Sequence, residues 1–162
     1  MNKTQRYARL AVYCSLAIVI NLVENIFLPP LYFGIRFGLA NIVSIITLKQ
    51  MGFKDMCLVV LLRLTLGNIL KGTIFGTPFI ISTLGLILSS VAIVILDRLN
   101  SSILFTSMLS SVFHTFGQLI AVCCIYSNVN LFIILPILMV SSLAAGVITG
   151  LISIEILKRI KQ

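Results

Sequence analysis

The chain has 162 residues, of which 59% are hydrophobic and 10% are charged, and its mean hydropathy is +1.17. About a quarter of the residues in a typical soluble domain are charged, so this composition excludes an ordinary soluble protein and indicates a polytopic membrane protein. At roughly 20 residues for each helical span, the length allows about six spans and leaves no room for a soluble catalytic domain.

Six apolar stretches predict an all-α bundle of six transmembrane helices, with a single membrane domain covering residues 1–162. The stretches are too long to be strands of a β-barrel, and they lack the strict alternation of apolar and polar residues that such strands show. The second stretch would be only about 22 Å long as a helix. We therefore expect it to be tilted or to continue into irregular structure. The stretches cover approximately residues 8–28, 37–51, 55–71, 78–96, 103–126 and 131–157.

Lysine and arginine residues are divided unequally between the two predicted ends of the bundle. Arg36 and Lys71 lie at one end and Arg63 lies inside the third helix, whereas nine others lie at the opposite end. Because cytoplasmic loops carry the excess of positive charge, we expect six spans with both termini in the cytoplasm. The net charge of +8 mostly reflects this topology and does not indicate a nucleic-acid partner. The nine residues are Lys3, Arg6, Arg9, Lys49, Lys54, Arg98, Lys158, Arg159 and Lys161.

A cleaved signal peptide is the competing interpretation of the first stretch, because it combines a basic start with an apolar run. The run is too long for a signal peptide, and no small-x-small cleavage site precedes Pro29. We therefore predict that this stretch is the first transmembrane helix.

Strongly polar residues within the stretches lie mostly toward the outer membrane face. With a rise of 1.5 Å per residue, the segment from Asn21 to Asn25 lies roughly 20 to 26 Å into the first helix, and Arg63 lies about 12 Å into the third. Such groups are costly in lipid and usually mark a ligand site, an ion path or a polar structural network. We predict that they form an outward-facing cage in the bundle interior. The predicted cage consists of Glu24, Asn25, Arg36, Arg63, Asn68, Lys71, His114 and Gln118.

The charge of this cage favours an anionic ligand. Three basic residues, Arg36, Arg63 and Lys71, face the single acid Glu24, and the excess suits a phosphate, a diphosphate or a carboxylate. Each residue has a structural alternative. Arg36 and Lys71 could extend to lipid headgroups, and Arg63 could pair with Glu24 for architecture alone. The buried amides could join helices, and His114 is better suited to bridging helices than to moving protons because it is the only histidine.

Small residues recur at helical spacing in the first and sixth helices and permit close approach of another helix. For the sixth helix we expect packing inside the bundle. For the first helix the alternative is a surface that receives a partner subunit. The residues are Ser142, Gly146 and Gly150 in the sixth helix, and Ala8, Ala11 and Ser15 in the first.

Three segments carry a resemblance to a known bacterial family. They are Gly38-Leu-Ala-Asn-Ile-Val-Ser, Leu61-Leu-Arg-Leu-Thr-Leu-Gly-Asn-Ile-Leu-Lys-Gly and His114-Thr-Phe-Gly-Gln-Leu. In order and spacing they resemble the Gx transporter family, also labelled heptaprenyl diphosphate synthase component I, over most of the chain from about Glu24 to Arg159. The chain is more loosely similar to the substrate-binding S components of energy-coupling-factor transporters.

The second resemblance implies a small-solute binding subunit in the bacterial cytoplasmic membrane. S components are six-helix proteins that bind a vitamin or related micronutrient from the outer face. They topple when docked to a transmembrane coupling subunit driven by paired ATPases. Their docking surface typically has an alanine-x-x-x-alanine pattern in the first helix, where this chain has Ala11 and Ser15.

The synthase label implies chemistry for which the sequence lacks the residues. Prenyl-chain elongation needs clustered aspartates that hold magnesium around a diphosphate. The sequence has two isolated aspartates, Asp55 and Asp97, no P-loop, and four cysteines without metal-ligand spacing. We therefore expect a protein that is not an enzyme and has no metal site or cofactor. An accessory role in isoprenoid or menaquinone side-chain synthesis, with the basic cluster recognising a prenyl diphosphate, is the alternative, and a structural membrane protein without a ligand is another.

Overall fold

The computed structural model describes residues 3–27, 39 and 41–160, with side chains for all of these except residues 25–27. Within these ranges the chain forms six α-helices and one 3₁₀ helix and contains no strand, which confirms the predicted all-α class. The helices are α1 (Lys3–Phe27), α2 (Asn41–Met51), α3 (Phe53–Leu70), α4 (Thr77–Arg98), α5 (Ile103–Tyr126), a 3₁₀ helix (Val129–Ile134) and α6 (Leu135–Ile160).

Local signals explain where several helices begin and end. Gly52 joins α2 to α3 with φ of 94°, a backbone conformation that glycine adopts without steric cost. Ser102 caps α5 by accepting a hydrogen bond from the Phe105 amide at 3.2 Å. Pro136 lies in the first turn of α6, where its missing N–H would have no helical partner. The 3₁₀ helix therefore passes into α6 at this proline.

The helices run alternately up and down, so that one end of the bundle collects most of the basic residues. We call this end the basic face and define it by Lys49, Lys54, Arg98 and Lys158. Two ion pairs between helices join it. Arg6 of α1 donates two hydrogen bonds to the Asp55 carboxylate, at 2.6 and 3.1 Å. Lys49 of α2 pairs with Asp97 of α4 at 2.5 Å. Both isolated aspartates of the sequence are thus neutralised at this face.

The short helix α2 lies at the centre of the bundle. It contacts each of the other five α-helices, and its residues 41–47 are all buried. At 1.5 Å per residue, its length is about 16 Å, roughly half of a bilayer's hydrocarbon core. The prediction of a short second helix is confirmed; its predicted continuation over residues 37 and 38 lies outside the described residues.

Within the described residues, four helical segments are long and apolar enough to cross a membrane. They are Lys3–Glu24, Thr77–Arg98, Ile103–Tyr126 and Val129–Ile160. Helix α3 has 18 residues but carries Lys54, Asp55 and Arg63. The structure thus has the composition of a membrane-embedded helical bundle. The charged residues of α3 all lie in its first eleven residues.

Glycines allow α4, α5 and α6 to pack closely. A Cβ atom added at Gly146 would lie 2.6 Å from Met108 Cα, and one at Gly150 would lie 2.9 Å from Leu104 Cδ1. These distances confirm that the small residues of α6 serve internal packing. At the α4–α5 contact, a Cβ atom at Gly117 would lie 2.8 Å from the backbone oxygen of Leu84. The sequence interpretation did not assign a packing role to Gly117.

Candidate functional site

The residues of the predicted cage for which the structure describes a side chain lie in the bundle interior or at its margin. Glu24, Arg63, Asn68, His114 and Gln118 are buried, and Lys71 is partly buried. The side chain of Asn25 and the whole of Arg36 lie outside the described residues. Burial of five strongly polar side chains shows that these helix faces point away from lipid.

Arg63 of α3 is the buried residue of this group with the most unsatisfied hydrogen-bond donors. Its side chain is 2% exposed, and Nη2 donates a long hydrogen bond of 3.4 Å to Asn41 Oδ1 on α2. Neither Nε nor Nη1 has a hydrogen-bond partner within the described part of the chain, and the same holds for Asn41 Nδ2. Glu24 of α1 attracts the Arg63 charge electrostatically. Three N–H groups that need acceptors are therefore buried around one contact between α2 and α3.

Asn41 is a site residue that the sequence interpretation left out of the cage. It is 1% exposed and is the first residue of the otherwise largely apolar helix α2. A polar residue at the start of a helix usually acts as a cap. The signal that could have found it is a strongly polar residue at the start of a short, otherwise largely apolar segment.

Lys71 lies one helical turn beyond Gly67, on the face of α3 that packs against α1. Its Nζ atom donates a hydrogen bond to Asn21 Oδ1. The contact does not require a glycine at position 67, since a Cβ atom there would lie 3.8 Å from the same oxygen, an ordinary van der Waals distance. Lys71 is thus held against α1 by Asn21 and does not extend fully into solvent.

His114 and Gln118 lie on the α5 face that packs against α4. His114 Nδ1 is 3.4 Å from the Ser89 hydroxyl, a contact that agrees with the helix-bridging interpretation. Gly85 brings the two helices together here, because a Cβ atom at this position would lie 2.7 Å from Gln118 Cγ. Ser89 and Gly85 escaped the sequence interpretation, although their spacing of four residues is the small-residue signal that identified α6.

Asn68 uses its side chain to close the end of α3. Its Nδ2 group donates to the Leu64 carbonyl at 2.7 Å, and its Oδ1 atom accepts a hydrogen bond from Thr73 at 3.0 Å. The amide therefore stabilises the turn that follows α3. Asn68 thus has a structural role, which is the alternative to ligand binding for the buried amides.

The predicted docking residues, Ala8, Ala11 and Ser15, are all exposed on α1. The buried stripe of the same helix runs through Leu10, Cys14 and Ala17. The small residues thus face away from the bundle, as a docking surface would require, and their binding of a partner stays a prediction.

An apolar groove follows the seam between α3 and α4. Its volume is about 470 Å³. Residues from Phe53 to Leu64 of α3 form one wall, and residues from Thr83 to Ile95 of α4 form the other. None of the described cage residues lines this groove.

The comparisons with known proteins identify the family. The family model described as heptaprenyl diphosphate synthase component I matches residues 13–156, which is most of the chain. Comparisons with curated proteins and with solved structures gave no significant match. The chain therefore belongs to the heptaprenyl diphosphate synthase component I family.

Proposed function

We propose that this protein is a membrane-embedded binding subunit that takes up a small anionic or amphipathic solute from the outer face of the bacterial cytoplasmic membrane. The observation that carries the proposal is the buried Arg63 guanidinium, of which two nitrogens have no acceptor within the described chain. An intramembrane charge is costly and is usually retained for a function. A guanidinium with unpaired hydrogen-bond donors is suited to binding an anion.

The positions of the polar groups along the bundle favour entry from the outer face. Arg63 follows the start of α3 by ten residues, and Asn41 precedes the end of α2 by ten, so both lie about 15 Å from the basic face. The positive-inside rule assigns the basic face to the cytoplasm. Ion pairs of Asp55 and Asp97 join the helices at that face. A ligand at Arg63 would therefore enter from the other side, where Lys71 lies.

The residues of the site have distinct roles in this proposal. Arg63 and Lys71 bind the anionic group, Glu24 orients a cation or a ligand donor, and the amides and His114 add hydrogen-bond selectivity. Release into the cytoplasm requires a conformational change or tilting of the whole subunit. A coupling subunit with ATPases, docked at the exposed small residues of α1, would drive that change.

Native mass spectrometry of the gently purified protein tests ligand binding. We expect a co-purified small anion that is lost in Arg63→Met, whereas Thr65→Val, a conservative change two residues away on α3, retains it. An empty wild-type protein that also shows no thermal stabilisation by added anions would contradict the proposal.

Labelling of introduced cysteines tests the topology. In a background without the native cysteines, Asn100→Cys lies in the α4–α5 connection and Asn128→Cys in the connection that follows α5. We expect a membrane-impermeant maleimide to label Asn128→Cys in intact cells and Asn100→Cys only after lysis. The reverse pattern would place the binding site on the wrong side for uptake.

A second candidate function is a non-catalytic accessory subunit of prenyl diphosphate synthesis, and the family match favours it. Here the same basic site would hold the diphosphate of a precursor or product for a soluble synthase. Asp55 and Asp97, both held in ion pairs at the basic face, are poorly placed to supply the magnesium ligands. Co-purification separates the two functions. An aspartate-rich synthase recovered without coupling ATPases would favour the accessory role, and the ATPases recovered without a synthase would favour uptake.

A further inference from the structure

The contact between Asn41 and Arg63 contains more donors than acceptors. Four buried side-chain atoms of the described chain have no hydrogen-bond partner, and they are Arg63 Nε, Arg63 Nη1, Asn41 Nδ2 and Ser111 Oγ. Three of the four are N–H groups of the two residues in this contact. Since bulk water is absent from a membrane interior, such groups need an acceptor from protein or ligand. A ligand that satisfies these three groups must therefore supply several acceptor atoms.

The shape of a guanidinium limits which acceptor can satisfy Arg63. Its five N–H bonds point in fixed directions in one plane. Nε and Nη2 share one edge, and Nη1 and Nη2 share the next. A carboxylate binds one edge at a time, as Asp55 does when it accepts hydrogen bonds from Nε and Nη2 of Arg6. At Arg63 a single carboxylate would use both of its oxygens on one edge and leave no third oxygen for the Asn41 amide.

The existing protein contacts of Arg63 do not use these two donors. Asn41 Oδ1 accepts from Nη2, and the attraction from Glu24 leaves both Nε and Nη1 without a hydrogen bond. The Nδ2 group of Asn41 extends the row of donors beyond the guanidinium. A phosphate group presents oxygens in several directions, and a diphosphate presents more of them. Two oxygens of either group can bind one edge of Arg63 while a third accepts a hydrogen bond from the Asn41 amide.

We propose that Asn41 is a ligand-binding residue and that the Arg63–Asn41 site selects a phosphate or diphosphate group over a carboxylate. This inference rests on the proposed function of the site as an anion site, and it adds the ligand class and a binding residue. It applies equally to inorganic phosphates and to phosphate esters, which the choice of probes separates.

Thermal stabilisation and isothermal titration of the purified protein in nanodiscs test the inference at constant ionic strength. The probes are inorganic diphosphate, inorganic phosphate and acetate, together with the chain-matched pair octyl phosphate and octanoate. We expect the phosphate-bearing member of each set to bind at least about tenfold more tightly, consistent with charge-assisted bonds to additional donors. Tighter binding of octyl phosphate than of inorganic phosphate would indicate an ester ligand, and the reverse would indicate the free anion.

Two variants of Asn41 and one control complete the design. Asn41→Asp keeps the size and the acceptor, removes the donor and adds a negative charge, whereas Asn41→Leu removes donor and acceptor without adding charge. We expect each to weaken diphosphate binding at least about fivefold. Thr47→Val is the control, because Thr47 is buried on the same helix and its hydroxyl bonds within α2 at 2.7 Å. It should bind within about twofold of wild type.

The possible results separate this inference from the proposed function. Equal affinity for carboxylate and phosphate probes, with loss of both in Arg63→Met, would overturn the selectivity and leave the anion site standing. Unchanged diphosphate binding in both folded Asn41 variants would overturn the role of Asn41. Binding that does not depend on Arg63, or no binding of any probe, would overturn the inference and the proposed function together.

Discussion

Replacing Arg63 by methionine should stabilise the ligand-free protein. The two unpaired guanidinium nitrogens each cost about 1–3 kcal/mol relative to satisfied groups. Methionine has a similar shape and needs no acceptor, so the substitution removes this cost. It also removes the 3.4 Å hydrogen bond to Asn41, worth at most about 0.5–1.5 kcal/mol, and the attraction to Glu24. Asn41 Oδ1 also loses its donor, which costs about 1–3 kcal/mol. We therefore expect a net gain of about 1–2 kcal/mol in the free energy of unfolding.

The cysteines of the chain supply the assay. The protein has no tryptophan, but Cys14 and Cys123 are buried and free while Cys57 and Cys124 are exposed. With the exposed pair replaced by alanine, a thiol-reactive dye reports unfolding through the buried pair. Comparison of Arg63→Met with the parent, both without ligand, gives the sign of the effect. Thr65→Val is the control, because its hydroxyl bonds only within α3 and its loss should change little.

A purely architectural Arg63 gives the opposite result. Removing one partner from a satisfied buried ion pair typically destabilises a protein by about 3–5 kcal/mol, because the other charge is left uncompensated. A clear loss of stability in Arg63→Met would therefore refute the reasoning that the guanidinium lacks partners. Ligand provides a second readout. Diphosphate should stabilise the parent by mass action and have no effect on Arg63→Met.

Two further predictions concern the helix contacts. Gly146→Ala should lower the free energy of unfolding by about 1–3 kcal/mol, because its Cβ atom would lie 2.6 Å from a Cα atom of α5. Gly67→Ala, where the nearest atom is 3.8 Å away, should be neutral in the same dye assay, and equal losses would contradict the packing argument. Asp55→Asn should lower the unfolding temperature by removing the charge partner of Arg6 at the basic face. Glu155→Gln, in an exposed pair, should have a smaller effect, and the opposite order would show that the Asp55 pair contributes little.

The sequence was sufficient to predict the helices and the burial of the polar side chains, because both follow from periodicity and from the cost of polar groups in lipid. Apolar length predicted five of the helices and the shortness of α2. Burial of Arg63, His114 and Gln118 followed from the depth and face of each residue. The partners of these residues could not be predicted in the same way. They depend on how each helix is rotated against its neighbours.

Arg63 illustrates that limit. Opposite charge and similar depth suggested Glu24 as an architectural partner, and Glu24 does attract the Arg63 charge. The structure gives its hydrogen bond to Asn41, since α2 lies between the other helices and packs directly against α3. A similar argument applies to α4 and α5, where Gly85 and Gly117 set the approach of the helices and thereby bring Ser89 to His114. Close approach at a glycine depends on the residues of both helices, so the small-residue pattern of one helix does not show where its neighbour will pack.

The two halves of the bundle satisfy their polar groups differently, and this difference bears on function. Between α4, α5 and α6, glycines bring the backbones together, and several buried polar side chains find partners there, as in the 2.7 Å contact between Ser107 and Thr149, although Ser111 Oγ of α5 does not. Between α2 and α3 the donors of Arg63 and Asn41 outnumber the acceptors. Close packing and hydrogen bonds hold helices together in lipid, where the hydrophobic effect between helices is weak. The α4–α6 half can thus supply the stability that offsets the costly donors between α2 and α3. Local conflicts of this kind are expected at functional sites, so the side of the bundle with unsatisfied donors is where ligand binding has the most to stabilise.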